Sequence, residues 1–368
     1  MSDLPIRLVV LYGGQSAEHD VSCVSAAHVL RALDKSRYEV DPIAITRDGR
    51  WVRSPGAVAA LTAGPDELPD ALESTGAELE ARVALEPARV GQQVVVIPIL
   101  HGPRGEDGSV QGLLELADVP YVGTGVLGSA LNMDKVMAKV VAGALGIPQV
   151  RHLSVRDTTV AAGPDDGLAR RVEAELGWPV FVKPANMGSS VGVSRAGDAE
   201  ELRTAVATAT AFDEWVMIEE AVTAREIEVG VIGNDVARST VPGEIVPTHE
   251  FYDYDDKYLD GAAEMVIPAD LPDDVAREAR SLAETTYLAL RCEGLARVDF
   301  FYEEHGRDGG PGRGLLFNEI NTLPGFTPYS MFPSMWAASG LPYDELLDEM
   351  IRLALARHQH RSKHRHAR

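Results

Sequence analysis

Cysteine is almost absent from this chain: Cys23 and Cys292 are the only two in 368 residues. They lie far apart and outside any CxxC spacing. A disulfide framework is thereby excluded, and each reads as a small buried apolar residue in a reducing compartment. Long apolar runs are missing too, since none approaches the ~20 residues needed to span a bilayer. The run nearest the start, Leu8 to Tyr12, stops at Gly13-Gly14, with neither the h-region length nor the cleavage site of a signal peptide. A cytoplasmic protein with no membrane partner is expected. Basic residues are outnumbered, 34 Lys and Arg against 56 Asp and Glu, for a net charge of −22. A polyanion would be repelled by such a surface, so no nucleic-acid partner is expected. The one basic run, Arg357 to Arg368, carries no large apolar residue and reads as frayed and solvated. No internal repeat and no Walker A sequence occur.

What is present is the ordinary globular mix, 45% apolar and 24% charged, at a length that allows two or three domains. Strands alternate with helices from the start, the pattern of an α/β protein. Residues 6–12 read as an apolar strand, after which Ser16 can cap a helix through Val21, Val24 and Leu30. A second buried strand, 94–100, runs into the turn His101-Gly-Pro-Arg-Gly-Glu-Asp-Gly108. Residues 54–92 read as peripheral. A helix over 133–145 would place Met133, Val136, Val140 and Ala144 on one face, and Ile147-Pro148 ends it. Strands at 178–183 and 191–194 flank a small-residue connector. Further helices are expected near 273–290 and 343–356. Breaks near 125 and 220 would give three domains: 1–124, 125–219 and 220–368.

The GxGxxG match at Gly123, Gly125 and Gly128 is set aside. A dinucleotide site needs an acidic residue about 20 positions on, and none occurs from Val136 to Arg156. A flexible interdomain turn accounts for it better. The segment Val182 to Gly192 fits phosphate instead. Lys183 offers a fixed positive charge, and Gly188, Ser189 and Ser190 offer backbone N–H groups and hydroxyls without bulk. Arg297 and Asp299 alternate onto one face of a strand, and Glu319 and Asn321 onto one face of another. If the two strands pair, hard oxygen donors suited to Mg²⁺ converge. Arg297 could then stabilise a phosphoryl group or an oxyanion.

Taken in order, five segments resemble the ATP-grasp superfamily, and within it the D-alanine–D-alanine ligases. They are Gly13 to Ser22, His101 to Gly108, Lys183 to Gly192, Glu250 to Tyr258, and Arg297-Val-Asp-Phe with Asn318 to Thr327. The resemblance implies an ATP-grasp fold with an N-terminal Rossmann-like domain, and ligation of two D-alanines through an acyl phosphate. It implies that Asp299, Glu319 and Asn321 hold two Mg²⁺ or Mn²⁺, while Arg297 and the Gly325 amide steady the oxyanion. Lys135, Lys183, Ser189, Ser190 and Lys257 would hold ATP phosphates, with Glu219, Glu220, Val222 and Glu226 at the adenine and ribose. Glu18 would fix the first ammonium, linked through hydrogen bonds to Ser189 and Tyr258. His101 would help hold the first substrate, and Ser330 with the Met331 amide the carboxylate of the second. The segment 247–261, polar and aromatic at once, fits a lid that excludes water. Relatives of this kind are usually homodimers. The Lys257-Tyr258 pair favours the dipeptide-forming members over those using D-lactate or D-serine. Other ATP-grasp ligases would share the metal cluster without the Glu18 and Tyr258 motifs.

Overall fold

The computed structural model describes residues 4–63, 68–160, 166–246, 264–306 and 309–365. The expected lid, with Lys257 and Tyr258, lies outside them. The sequence IRLVVLYG is buried at all but its first position, as in a parallel strand covered on both faces. It forms β1 (Ile6–Gly13) and is followed by α1 (His19–Ala32), β2 (Tyr38–Ile45), β3 (Trp51–Arg53) and α2 (Pro55–Ala63). Next come β4 (Ala77–Glu78), α3 (Ala81–Leu85), β5 (Val94–Leu100), α4 (Ser109–Leu116), α5 (Val126–Met133) and α6 (Lys135–Ala144). The strand order is β4-β3-β2-β1-β5, with β1 parallel to both β2 and β5. The order reverses between β1 and β5, so Gly13-Gly14 and His101 flank the crevice where open α/β sheets take ligands.

Several expectations shift here. The first helix begins at His19 with Glu18 as its N-cap. Ser16 acts one step earlier, its Oγ accepting from the Glu18 N–H at 3.2 Å. The stretch 54–92 is less peripheral than its composition implies, since Leu68, Leu72, Ala84 and Leu85 are buried. Residues 121–125 are buried rather than a flexible turn, and Gly128 packs against the backbone of Arg291. The helix expected over 133–145 is broken at Asp134, whose carboxylate caps α6 by accepting from the Met137 N–H at 3.0 Å. That restart changes the buried face. Val140 is exposed, and Val136, Ala138, Lys139 and Ala142 turn inward.

A central antiparallel sheet follows, built from β6 (His152–Arg156), β7 (Val180–Pro184), β8 (Ser194–Ala196) and β9 (Trp215–Glu220) in the order β6-β9-β7-β8. Its helices are α7 (Asp157–Val160), α8 (Asp166–Glu175) and α9 (Ala199–Thr210). The connector after β7 is longer than expected. Ser189, Ser190 and Gly192 have φ of 52°, 57° and 74°, left-handed values that a strand cannot hold, so β8 starts only at Ser194.

The third sheet is antiparallel, with β10 (Arg225–Gly233), β11 (Ala237–Ser239), β12 (Gly243–Val246), β13 (Glu264–Val266), β14 (Gly294–His305) and β15 (Pro311–Asn321). Its main order is β13-β12-β10-β14-β15. Helix α10 (Asp273–Ala289) buries Ala279, Ala283 and Tyr287 against Val229, Val298, Phe300 and Phe317 on one face. The opposite face is thereby left for polar side chains.

The last helices are α11 (Met331–Ala338) and α12 (Tyr343–Arg365). Leu346, Leu347, Met350 and Ile351 of α12 pack in one cluster with Leu8, Val10 and Leu30, so both ends of the chain share a core. As far as Arg365, where the described residues end, the basic run is helical and docked rather than frayed. Arg357 is 4% exposed and donates to the carbonyls of Gly123 and Tyr121, while lying 4.3 Å from the Tyr121 ring centre. Arg361 bridges Glu115 and Glu293 at 2.5 and 2.6 Å. A basic run reads as solvated only while its partners, here carbonyls and acids far away in sequence, are unknown.

Candidate active site

Glu18 stands where three segments meet. Gly13 and Gly14 have φ of 85° and 100°, values that cost glycine little. A side chain at Gly13 would lie 2.4 Å from the Ile45 carbonyl. The turn they make is locked from α1. The Ser22 hydroxyl accepts from the Gly13 N–H at 2.7 Å and donates to the Ile99 carbonyl, and His19 Nδ1 lies 2.8 Å from the Gly14 carbonyl. The Glu18 carboxylate is thus carried to Gly102 on one side and Gly188 on the other. Cβ atoms added there would stand 3.0 and 3.5 Å from its Oε2. Ser189 Oγ donates to Glu18 Oε1 at 2.5 Å. One of the two expected hydrogen bonds of Glu18 is therefore present, joining the first sheet to the central one; the other, to Tyr258, lies outside the described residues.

His101 is 6% exposed and places Nδ1 3.1 Å from the Leu323 carbonyl, so it ties β5 to the segment after β15. Burial opposes its charge, but the adjacent Glu106, with Glu18 behind it, holds its pKa above the ordinary 6.5. Among the described residues its buried Nε2 has no hydrogen-bond partner, a group suited to a polar atom of a bound molecule. Glu106, absent from the expected set, accepts from the Gly102 N–H at 2.8 Å and is itself pushed up in pKa by burial.

On the central sheet Phe181 pairs with Glu219, so Lys183, two residues on from Phe181, shares a face with Glu219. Lys183 Nζ stands 2.5 Å from Glu219 Oε2, and Lys139 Nζ 2.7 Å from Oε1. Burial would raise the Glu219 pKa, but the two ammoniums outweigh it and bring it down to about 2. Lys139 was missed by the sequence reading. The signal was there, since it lies one helical turn beyond Lys135 in Met-Asp-Lys-Val-Met-Ala-Lys. Lys135 opens α6, donates to the Met187 carbonyl at 2.7 Å and lies 3.3 Å from Glu319 Oε2. It therefore joins the phosphate-type turn to the third sheet. Glu220 alternates to the other side of β9. There its carboxylate takes Arg151 and Arg313 at 2.7 and 2.6 Å, so that side chain is not brought to Lys183. Val222 sits in the short connection from β9 to β10.

Strands β14 and β15 pair as expected, with Arg297 opposite Asn321 and Asp299 opposite Glu319. One strand further, Glu228 of β10 faces Asp299, placing three carboxylates in one row across three strands. Glu228 was also missed, although its alternation with Glu226 marked the face. Arg297 donates twice to Asp299 at 2.8 Å, and its Nε lies 3.1 Å from Glu228. Glu226 lies near enough to Lys183 to support its charge. Among the described residues no group of three or more His, Cys, Asp or Glu is arranged as a metal cage. Asp299 faces Arg297, and Glu319 faces Lys135. The donors are nonetheless hard oxygens on adjacent strands, the kind Mg²⁺ takes in small number beside phosphate oxygens. Asn321 Oδ1 accepts from the Leu323 N–H at 3.0 Å. Beyond it, Gly325 lies against Ser330, the N-cap of α11. The Met331 N–H falls in a helical first turn, where backbone donors lack intrahelical partners.

The turn bearing Lys183, the row of acids across three strands and Glu18 at the switch point sit on the sheets of an ATP-grasp ligase. Models of the D-ala D-ala ligase N-terminus and C-terminus match residues 7–124 and 141–352. The chain belongs to the D-alanine–D-alanine ligase family. It is 44% identical over 362 residues to D-alanine–D-alanine ligase of Geobacillus thermodenitrificans, covering 96% of each chain. To the ligase of an Arthrobacter species it is 46% identical over 369 residues, covering 95% of this chain and 94% of that one. Among solved structures, the D-alanine–D-alanine ligase of Coxiella burnetii matches with a TM-score of 0.80 at 35% identity, over 98% and 96% of the two chains. The VanG D-Ala:D-Ser ligase of Enterococcus faecalis matches with 0.79 at 32%, over 95% and 100%.

Proposed function

We propose that the chain joins two D-alanines to D-alanyl-D-alanine at the expense of ATP, for peptidoglycan precursor synthesis. The observation that carries this reading is the Ser189–Glu18 hydrogen bond. It couples a phosphate-type turn to a carboxylate suited to an amino acid's ammonium. Glu18 and His101 would hold the first D-alanine. Its carboxylate oxygen attacks the γ-phosphorus, ADP leaves, and the acyl carbon gains a leaving group. The second D-alanine, its carboxylate at Ser330 and the Met331 amide, attacks that carbon with its free amine. The tetrahedral adduct collapses with loss of inorganic phosphate. Arg297 and the Gly325 amide would stabilise its oxyanion. Lys135, Lys183, Ser189, Ser190 and Lys257 would bind phosphates, with Glu219, the Glu220 backbone, Val222 and Glu226 at the nucleoside.

Asp299, Glu319 and Asn321 would hold Mg²⁺ or Mn²⁺, which when bound neutralises charge on the phosphate oxygens. Residues 1–124, 125–219 and 220–368 would form three domains, with 247–261 as a lid. The chain would work in the cytoplasm as a homodimer, a state that the exposed Leu113, Leu116, Val126 and Leu127 on α4 and α5 favour. The fold alone does not separate D-alanine from D-serine, since a D-Ala:D-Ser ligase matches nearly as well. Lys257 with Tyr258 is the sequence feature that favours D-alanine. The test is incubation with ATP, Mg²⁺, D-alanine and competing D-serine or D-lactate, with products identified by mass spectrometry. ADP without D-alanyl-D-alanine would overturn the proposal.

A further inference from the structure

We infer that Lys139 is a positioning residue for nucleotide binding, keeping the Glu219 carboxylate paired when Lys183 turns to the phosphates of ATP. The inference rests on the reading of Lys183 as a phosphate-binding residue. Two ammoniums share one carboxylate, each on its own oxygen, at 2.7 Å for Lys139 and 2.5 Å for Lys183. The two lysines are not equivalent. The Lys139 side chain is 1% exposed and that of Lys183 14%, so only Lys183 has an open end. Lys139 is also held from behind, donating to the Phe317 carbonyl at 3.1 Å, and its backbone lies inside α6.

A buried carboxylate that loses its only cation is strongly unfavourable. With Lys183 as sole partner, Glu219, 2% exposed, would hold that lysine back from any incoming phosphate. With Lys139 fixed on the far oxygen, Lys183 can exchange the carboxylate for phosphate while Glu219 stays neutralised. Two ammoniums on one carboxylate leave an excess of one positive charge within the triad, which the fields of Glu319 and Glu226 offset. A second ammonium in a core helix is otherwise hard to explain, since burial disfavours its charged form.

The test uses the full-length protein with Lys139→Met, Lys139→Gln and, as a reference, Lys183→Met. Affinity for ATP is read by titration calorimetry, and KM for ATP and for D-alanine, with kcat, by ADP release. Both Lys139 variants are expected to weaken ATP by about tenfold or more, one step of RT ln 10 or above. KM for D-alanine should be unchanged, and kcat at saturating ATP largely kept. Glutamine keeps a polar hydrogen-bond donor at the position while removing the charge, so it guards against simple misfolding. Wild-type ATP affinity in Lys139→Gln would overturn the inference, because the charge would then be dispensable. Equal weakening of ATP and D-alanine would also overturn it, as the mark of a general structural role. If Lys183→Met binds ATP normally, the phosphate reading itself fails, and the two failures are distinguished.

Discussion

Replacing Glu18 by glutamine keeps the shape of a side chain held between Gly102 and Gly188 and removes its charge. In the free protein Ser189 Oγ donates to Glu18 Oε1 at 2.5 Å, a bond to an ionised acceptor worth about 1.5–3 kcal/mol, against about 0.5–1.5 for a neutral one. That difference, roughly 1 kcal/mol, loosens the 183–192 turn. A larger effect falls on the substrate. An ammonium about 4 Å from a carboxylate gains about 4 kcal/mol at an effective dielectric of about 20, and a neutral amide forfeits most of it. Together these reduce kcat/KM for D-alanine by about 10²- to 10³-fold, at about 1.36 kcal/mol per factor of ten. ADP release measured against D-alanine concentration at saturating ATP gives the number. ATP affinity, measured by calorimetry, should fall by no more than about fivefold, the roughly 1 kcal/mol lost at the turn. A Glu18→Gln protein with unchanged D-alanine kinetics and weakened ATP binding would refute the reasoning.

Arg357→Ala removes a buried guanidinium that donates to the Gly123 and Tyr121 carbonyls and lies over the Tyr121 ring. A loss of about 2–5 kcal/mol is expected from the two buried carbonyls left unsatisfied, read by urea denaturation, and a loss below about 1 kcal/mol would contradict docking of the basic run. Gly128→Ala should destabilise by about 1–3 kcal/mol, although alanine normally favours a helix. Its Cβ would lie 2.3 Å from the Arg291 carbonyl, and calorimetry showing a higher Tm would count against that contact. Glu219, brought from 4.5 to about 2, stabilises the fold above its unfolded pKa and loses that contribution as pH falls from about 4.5 toward 2. Glu219→Gln should therefore flatten the acid limb of the stability–pH curve in that window. The Cys23 thiol, pushed up to about 11 by burial, should resist a thiol reagent at neutral pH until the protein is unfolded.

How much of this was legible beforehand depends on distance along the chain. Local pattern was enough for β1, β5 and α10, because an apolar run or a 3.6-residue period states what an element buries. Motif order was enough for the class of chemistry, and alternation placed Arg297 with Asp299 and Glu319 with Asn321. Pattern failed wherever a polar side chain found its partner across the fold. Lys139 reads as a surface lysine until Glu219 and Phe317 are beside it. Glu219 and Glu220 look alike until β9 sends one to Lys183 and the other to Arg151 and Arg313. Arg357 looks solvated until the Tyr121 and Gly123 carbonyls meet it. The sequence alone determined several elements, the α/β class and the residue types of a phosphate-using site, since these follow from periodicity and side-chain chemistry. Only the tertiary structure decided which charges neutralise one another, because the energy of a buried ion pair depends on a few ångströms of separation that no local pattern encodes.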